Sequence, residues 1–320
     1  MKRTLFYLAF LCLPLISLTL VSCDNDDDDN GGTEELLNIV EFAQSNPNYS
    51  LLVEAVIKAE LVNDLSADGP ITLFAPDNAA FEAFLDGGTI ANTPKETLVT
   101  ILTNHVIGGK QEASDLQTSY YETISATTFG ENAFMYVSTD NGVTINGSSN
   151  VVQADIQVSN GVIHAIDAVI APPTVVTFAT SDPTFSSLVA ALTAPGLNTN
   201  FVEVLSGEGP FTVFAPTNAA FQALLDSDPS WNSVTDIPTA VLEEVLLYHV
   251  TTIGNVRAEA ITDGIEVNTL APGESFTIST GAGDPTINAV GNTADIIVTN
   301  VQAQNGVVHV IDAVILPDLN

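Results

Sequence analysis

The sequence predicts an α+β fold that is built twice in tandem. The stretch NGVIHAIDAVIAP at 160–172 returns almost unchanged as NGVVHVIDAVILP at 305–317. Before each stretch, apolar residues recur first at helical spacing and later in the alternation typical of strands. The repeat is much longer than the roughly 20 to 50 residues of solenoid units, which indicates a duplicated domain. We therefore expect a first copy over residues 34–172 and a second copy over residues 173–320, each with helices packed on a compact sheet.

The helical half of each copy begins with two apolar runs and leads into a short strand. In the first copy the runs cover residues 36–42 and 51–61, with an Asn-Pro break between them. A Gly-Pro turn and a strand follow in GPITLFAPDNAAF at 69–81, which the second copy repeats as GPFTVFAPTNAAF at 209–221. The repetition predicts a strand followed immediately by a helix in both copies.

Capping residues predict where the next helices begin. Asp77 and Thr217 directly follow an Ala-Pro dipeptide, and each is expected to cap the helix after it. The segment TPKE at 93–96 predicts a capping box with proline at the first helical position, starting a helix that reaches His105. A counterpart in the second copy is expected to reach His249.

The later half of each copy predicts strands separated by Asn-Gly turns. The expected strands are Ala133–Val137, Val143–Ile145, Val151–Val158 and Val162–Ile170 in the first copy, and Phe276–Ser279, Thr286–Ala289, Ile296–Val301 and Val307–Ile315 in the second.

The chain is strongly acidic. It has 6 Lys and Arg residues against 39 Asp and Glu residues, a formal net charge of −33. Such a surface repels phosphate backbones and anionic headgroups, so we expect neither a nucleic-acid partner nor a polybasic membrane contact. The carboxylates permit a weak association with Ca²⁺, although solubility alone explains them.

The amino-terminal segment predicts export. Residues 1–22 combine a basic start with a short apolar core, which is typical of a signal peptide. The four residues ending in Cys23 resemble the processing box of bacterial lipoproteins, and that resemblance implies acylation of Cys23 after cleavage. An ordinary signal peptide and an uncleaved anchor are the alternatives. We expect an outer-membrane lipoprotein held at the cell surface through its lipid.

Residues 23–33 predict an acidic, flexible tether. The run DNDDDDNGG after Cys23 is a block of like charges that cannot pack into a core. Its first positions also fit a calcium loop, but Leu37 stands where such a loop needs a bidentate glutamate. The acidic run resembles the surface-export signals of lipoproteins from the Bacteroidetes group.

The histidines predict a structural role rather than catalysis. His105, His164, His249 and His309 form equivalent pairs across the copies. His164 lies among apolar strand residues, which favours a hydrogen-bonded core position over a metal or general-base role. Asp167 and Asp312 follow the strand histidines by three residues, and we expect both carboxylates to be buried acceptors.

No motif for an enzyme, a metal or a cofactor stands out. No two histidines lie at ligand spacing, and GxSxG, P-loop and GxGxxG sequences are absent. Thiol catalysis is excluded if Cys23 is acylated. We therefore predict a non-enzymatic protein with no catalytic residues, no metal site and no cofactor.

The order of these features resembles the fasciclin-like domain family, and it does so twice. The features are the LFAP or VFAP strand followed by a helix, an apolar helix ending in His-Val, a run of β residues, and the closing NGVIHxID strand. The resemblance implies two tandem domains, each a wedge-shaped β-sandwich flanked by helices. It also implies a secreted or membrane-anchored adhesion or matrix protein without catalysis.

Two family motifs match individual residues. A Tyr-His pair flanked by aliphatic residues, linked to adhesion in animal members, matches Tyr248 and His249, whereas the first copy has Asn104 before its histidine. An Asp-Ile pair before the closing strand matches Asp155 and Ile156, whereas the second copy has Asn and Val there. The resemblance thus implies an adhesion motif at these four residues.

The expected function is adhesion or extracellular-matrix interaction at the cell surface. The partner would be an extracellular protein or a polysaccharide. The alternative is a ligand-binding lipoprotein, for polysaccharide or a divalent cation, that serves an uptake system; a hydrolase is a third hypothesis. Trp231 and the tyrosines are too sparse to predict a platform for stacking sugars.

Overall fold

The structure, a computed structural model, describes residues 35–281 and 284–319. From Leu36 onward the chain forms one compact unit that contains both copies. The predicted signal peptide, the lipidation site Cys23 and the tether at 23–33 lie outside the described residues.

The first copy contains five α-helices and seven strands within its described residues. In chain order they are α1 Ile39–Ser45, α2 Ser50–Lys58, α3 Val62–Ser66, β1 Ile71–Pro76, α4 Asn78–Leu85, α5 Lys95–Thr103, β2 Val106–Gly108, β3 Ser119–Ala126, β4 Asn132–Ser138, β5 Thr144–Ile145, β6 Ser149–Val158 and β7 Gly161–Ile166. Short 3-10 helices occupy Pro47–Tyr49 and Ile90–Asn92.

The second copy repeats this order. Its elements are α6 Val175–Ser181, α7 Ser186–Leu192, α8 Phe201–Leu205, β8 Phe211–Pro216, α9 Asn218–Asp226, α10 Thr239–Tyr248, β9 Val250–Thr251, β10 Ile265–Asn268, β11 Ser275–Ser279, β12 Thr286–Asn288, β13 Thr293–Ala303 and β14 Gly306–Ile311. Its 3-10 helices are Pro183–Phe185, Val234–Asp236 and Ala258–Ala260.

The strand after the Gly-Pro turn pairs in parallel with the closing strand in both copies. In the first copy β1 to β7 follow one another around a closed barrel, with β1 parallel to β7. In the second copy the sheet order is β10-β11-β12-β13-β14-β8-β9, with β8 parallel to β14. Parallel pairs are normally covered on both faces. All six residues of β7 and of β14 are indeed buried, which explains the continuous apolar run in each closing stretch.

The core of each copy has two parts, one on each face of the parallel pair. Successive side chains of a strand point to opposite faces. Leu73 accordingly packs against the helices with Leu52 and Leu98, whereas Phe74 faces Met135 inside the barrel. The predicted α+β architecture is therefore confirmed, with helices on one side of mixed sheets.

The helix caps were predicted correctly in one place and wrongly in another. Asp77 and Thr217 accept hydrogen bonds from the backbone of α4 and α9, as expected. The capping box at 93–96 does not form, because Pro94 is itself the cap and the Thr93 hydroxyl donates to the Thr89 carbonyl oxygen instead. A residue before proline is disfavoured in the helical region, so Thr93 stays extended. The helix consequently covers Lys95–Thr103 and ends before His105.

The strands also differ from the prediction. The strands β2, β9 and β10, of two to four residues, were not expected, and neither was β3, Ser119–Ala126, whose alternation is interrupted by a register shift and several exposed polar residues. The closing strands end at Ile166 and Ile311, four residues earlier than predicted. The buried residues that follow them belong to non-strand segments, whose backbone bonds to a histidine rather than to a neighbouring strand.

Candidate functional site

The asparagine of each closing Asn-Gly pair connects three separate segments of its copy. Asn160 is buried; its Oδ1 accepts from the Ile39 amide at 3.0 Å, and its Nδ2 donates to the Leu65 and Ala67 carbonyl oxygens at 2.9 and 3.0 Å. Asn305 makes the same three contacts, with the Val175 amide at 3.0 Å and with the Leu205 and Gly207 carbonyls at 2.8 Å. The repeated asparagine therefore anchors the first helix and the end of the third helix to the sheet.

The glycines of the two repeated stretches allow close backbone packing. A Cβ on Gly161 would lie 1.8 Å from the Ile71 carbonyl oxygen, and one on Gly69 would lie 2.0 Å from the Asn160 carbonyl oxygen. Gly209 and Gly306 show the same constraint in the second copy. Because no side chain fits there, the Gly-Pro turn and the closing Asn-Gly turn of each copy require glycine. The repetition of both motifs thus has a structural cause.

His105 and His249 fasten the end of the closing segment to a helix. The Nδ1 atom of His105 lies 2.8 Å from the Ile101 carbonyl oxygen, and its Nε2 accepts from the Ile170 amide at 2.9 Å. His249 lies in the same way between the Val245 carbonyl and the Ile315 amide. Both contacts require a neutral ring with its proton on Nδ1. Burial lowers the pKa of each imidazole from 6.5 to about 4, against a smaller opposing effect of the carbonyl acceptor.

His164 and His309 are also committed to the backbone. Nε2 of His164 lies 2.9 Å from the Gln111 carbonyl oxygen, and Nε2 of His309 lies 2.8 Å from that of Val256. Each ring stacks on a buried phenylalanine at about 5.4 to 5.5 Å between centroids. Burial lowers the pKa of His309. Both rings are fully buried.

Asp167 and Asp312 are acceptors, but the prediction that they are buried was wrong. Both carboxylates are exposed, because each directly follows the last residue of a closing strand, where the chain leaves the sheet. Asp167 accepts from the Asn150 amide at 2.7 Å, and Asp312 accepts from the Asp295 amide at 2.8 Å. They join the closing strand to the strand beside it, which is a structural role.

The predicted Tyr-His motif lies inside the second copy. Tyr248 is fully buried and its hydroxyl donates to the Ser275 carbonyl oxygen at 2.8 Å, while His249 is 3% exposed. Burial raises the pKa of Tyr248. Asn104 occupies the corresponding buried position in the first copy and donates to two carbonyl oxygens at 3.3 Å. Both side chains of the motif thus have structural contacts, and a direct role in adhesion stays a prediction.

The predicted Asp-Ile motif forms a bulge in β6. Asp155 is exposed, has a positive φ of 60°, and accepts from the Ala113 amide at 2.7 Å. Asn300 has a φ of 63° in the second copy and accepts from the Ala258 amide at 2.7 Å. Asp and Asn both tolerate this backbone conformation and both offer Oδ1, which explains their exchange. Ile156 packs against the helical core. The four motif residues therefore belong to separate places in the two copies.

The two copies are joined through the outer face of β3 and β4. The Tyr120 hydroxyl donates to Oδ2 of Asp182 at 2.9 Å, and its ring meets Phe178 edge-on at 5.5 Å. Asp182 is 7% exposed, and Tyr136 is buried in the core of the second copy. Burial, together with the nearby Asp182 charge, raises the pKa of Tyr120 and raises that of Tyr136 to about 12. This contact, missed by the sequence analysis, joins the two copies.

The corresponding face of the second copy is polar. Tyr120 and Tyr136 are opposite each other across β3 and β4, and the pair in the same register of β10 and β11 is Glu266 and Thr277. Both of these side chains are exposed. The aromatic residues occur only where a neighbouring copy covers them, so the duplication has diverged at this contact.

An open cleft lies beside this contact. It offers about 740 Å³ and is lined from the first copy by Phe129 and Glu131 and from the second by Asn255, Arg257 and Glu259. A second cleft of about 700 Å³ continues on the other side of Phe129. Sequence reasoning missed this site because its residues come from loops more than a hundred positions apart, and no local pattern relates them.

Residues 35–281 and 284–319 contain no group of three or more His, Cys, Asp or Glu side chains placed to hold a metal ion. No single helix there is long and apolar enough to cross a membrane; the helices Val175–Ser181 and Pro183–Leu192 meet the length and composition requirement only together, and they are bent by 96°.

Comparison with known proteins identifies the domain. The family profile described as Fasciclin domain matches residues 47–172 and 183–317. Protein sll1483 of Synechocystis sp. is 43% identical over 145 residues, which are 44% of this chain and 77% of that protein. Transforming growth factor-beta-induced protein ig-h3 of Sus scrofa is 28% identical over 271 residues, which are 80% of this chain but only 36% of that protein.

A solved structure shares the fold of this chain. The FAS1 domain pair from the insect cell adhesion molecule Fasciclin I aligns with a TM-score of 0.52, covering 83% of this chain and 95% of that one, at 19% sequence identity. At this identity the likeness shows the fold alone. The family profile covers most of the chain, and it matches once in each copy. The chain therefore belongs to the fasciclin domain family and contains two tandem fasciclin domains.

Proposed function

We propose that this chain is a non-catalytic adhesion or matrix-interaction protein displayed on the outer surface of a bacterial cell. Acylated Cys23 would hold it at the outer membrane, and the acidic segment 23–33 would separate the domains from the lipid. The partner would be an extracellular protein or polysaccharide. Family membership supports this proposal, since relatives include a cell adhesion molecule.

The observation that carries the proposal is that the repeated histidines form hydrogen bonds to the backbone. His105 and His249 each bond to one backbone carbonyl and one backbone amide. A general base needs a free, accessible nitrogen near a substrate. Groups committed in this way stabilise a scaffold, which favours binding over catalysis.

Cell attachment tests the proposal. Cells that display the full chain should attach to a matrix-coated surface more than cells whose chain lacks residues 34–320, with equal surface levels verified by immunoblotting. A Cys23→Ser variant should release the protein from the membrane and abolish its labelling by [³H]palmitate. Equal attachment with and without the domains would contradict the adhesion role, and labelling that survives Cys23→Ser would contradict the lipid anchor.

A ligand-binding lipoprotein that serves an uptake system is the second candidate. The clefts beside the domain contact favour it, because each has a volume within the roughly 300 to 1,000 Å³ of small-molecule sites. Growth on a polysaccharide as sole carbon source should then require the domains. A Ca²⁺ titration by calorimetry should give only weak, non-saturating heat, because the carboxylates of the described domains form no cluster fit for a metal.

A further inference from the structure

We propose that the cleft at the domain contact binds a neutral oligosaccharide chain. This inference rests on the proposed function and narrows the class of partner to an uncharged glycan. The two clefts that share Phe129 form the proposed groove, with Glu131, Asn255, Arg257 and Glu259 on one side of that ring. Thr128, Ser206, Glu208 and Gln304 lie on the other side.

Phe129 supplies the apolar surface that a sugar ring needs. It lies in the turn between β3 and β4, which is closed by hydrogen bonds from Thr127 to Glu131 at 2.7 Å and from Gly130 to Thr127 at 3.2 Å. The ring is half-buried and lines both clefts. A pyranose presents C–H groups on one face, and such a face packs on an aromatic ring while the hydroxyl groups at the rim remain available. A single aromatic ring with polar side chains on both sides suits this mode of contact.

The polar side chains are already held in position around that ring. The Nε of Arg257 lies 3.3 Å from Oε2 of Glu259 and 3.9 Å from Oε1 of Glu131, so the cation bridges both domains. Glu259 also accepts from Asn300 at 2.9 Å. Side chains fixed by their neighbours lose little conformational entropy when a ligand binds.

The Asn255 amide extends this array. Asn255 and Gln302 exchange two hydrogen bonds of 3.0 Å, and Gln302 is fully buried, so it orients the Asn255 side chain from behind the cleft before any ligand arrives. Planar amide, carboxylate and guanidinium groups offer paired donors and acceptors, which match the adjacent hydroxyl groups of a sugar. Only Nε of the five guanidinium donors takes part in the two contacts of Arg257.

The charge balance favours an uncharged ligand. Arg257 is the only Lys or Arg in the second copy, and it lies between two carboxylates, so the local charge is negative, as is that of the whole chain. An acidic sugar would meet this repulsion without a free cation to offset it. Glu131 and Glu259 are 47% and 67% exposed, which leaves carboxylate oxygens accessible to hydroxyl donors.

The extent of the groove favours a chain over a single sugar. The two clefts, of about 740 and 700 Å³, meet at Phe129. Each alone reaches the size of a site for a drug-sized ligand. A linear oligosaccharide that stacks one ring on Phe129 would place its neighbouring rings against the polar residues on both sides.

Calorimetry on the full chain tests the inference, in a detergent that has no sugar headgroup. The probes are neutral hexaoses (cello-, xylo-, manno- and laminarihexaose), an acidic oligogalacturonate and a cationic, deacetylated chitohexaose. We expect saturable binding of at least one neutral hexaose. Phe129→Ala and Arg257→Lys should each raise its Kd by about tenfold or more, since loss of stacking or of the planar guanidinium removes a directed contact.

Matched substitutions distinguish the cleft from the rest of the surface. Phe84→Ala removes another partly exposed phenylalanine, and Lys110→Ala removes a cation from the corresponding loop of the first domain. Both should leave the Kd unchanged within about twofold. An unchanged circular dichroism spectrum and urea midpoint would show that the cleft variants remain folded.

Three results would overturn the inference: no saturable binding of any neutral hexaose at millimolar concentration, binding of the acidic or cationic probe alone, or binding that Phe129→Ala leaves unchanged. These results are independent of the attachment assay. Attachment that depends on the domains, without any glycan binding, would retain the proposed function and reject the glycan site.

Discussion

Asn305→Ala should destabilise the second domain strongly. The substitution removes three hydrogen bonds at once and leaves the Val175 amide and the Leu205 and Gly207 carbonyls without their partner. The contacts to Val175 and Leu205 are buried, and the contact to Gly207 is partly buried. An unsatisfied buried group costs about 1 to 3 kcal/mol. Allowing for partial hydration at Gly207, we expect the free energy of unfolding to fall by about 3 to 5 kcal/mol.

Urea unfolding measures this loss, and the chain contains a suitable reporter. Trp231 is the only tryptophan and packs against the core of the second domain, so its fluorescence follows that domain, whereas circular dichroism follows both. The loss should appear as a lower urea midpoint with little change in slope. Asn268→Ala is the matched control, because Asn268 is exposed on β10 and its replacement should change stability by less than about 0.5 kcal/mol.

A loss of less than about 1 kcal/mol for Asn305→Ala would contradict this prediction, since the three contacts would then have no net value. A loss equal to that of Asn268→Ala would have the same meaning. Asn305→Asp is a second test of the same contacts. It keeps the acceptor for the Val175 amide but places a carboxylate against the Leu205 and Gly207 carbonyl oxygens. It should destabilise the domain at least as much as alanine.

Three further predictions concern pH, the domain contact and the bulge. The buried imidazoles of His105 and His249 have a pKa of about 4 in the folded chain, against 6.5 when unfolded. Between these two values only the unfolded state binds the protons, so the free energy of unfolding falls as the pH decreases from about 6.5 to 4. The loss reaches about 3 kcal/mol per histidine and is absent above about pH 7. The difference in urea midpoint between the wild type and His249→Gln should therefore be smaller at pH 4.5 than at pH 7.5. An equal difference at both pH values would contradict the lowered pKa. Tyr120→Phe leaves the buried Asp182 carboxylate without one donor and should lower the free energy of unfolding by about 1.5 to 3 kcal/mol. The control is Tyr121→Phe, which removes a hydroxyl in an exposed contact and should cost less than about 1 kcal/mol in the same urea assay. Asp155→Asn should change the free energy of unfolding by less than about 0.5 kcal/mol, because Asn300 makes the same contact at nearly the same φ in the second copy. Asp155→Ala should lower it by about 1 to 2 kcal/mol, through strain at positive φ and loss of the contact to Ala113. Equal effects of the two substitutions would show that the Oδ1 contact contributes nothing.

The sequence predicted the duplicated architecture because the relevant signals are local. The Gly-Pro turn, the Ala-Pro end of β1 and the caps at Asp77 and Thr217 depend on residues adjacent in the chain. The closing strands were recognisable as buried because a parallel pair covered on both faces gives an uninterrupted apolar run. Repetition of His105 and His164 in the second copy favoured a structural role, and both side chains do bond to backbone groups.

Local patterns failed where a side chain's surroundings come from distant segments. Asp167 was expected inside because its neighbours are apolar, yet it lies where β7 has left the sheet and is exposed. Tyr248 looked like part of an accessible motif, yet its hydroxyl bonds to Ser275 in the core. Burial depends on which segment packs over a residue, and the sequence around that residue does not encode it.

The sequence by itself therefore determined that this protein consists of two fasciclin domains, which elements each contains, and which chemical classes of partner its charge disfavours. Only the tertiary structure decided how the domains contact one another. Tyr120 meets Asp182 across 62 positions, and Phe129 approaches Arg257 from the other domain. Such contacts arise when two folded surfaces pack together, so they depend on the register of strands and the direction of side chains in both domains, which no periodicity within one segment specifies.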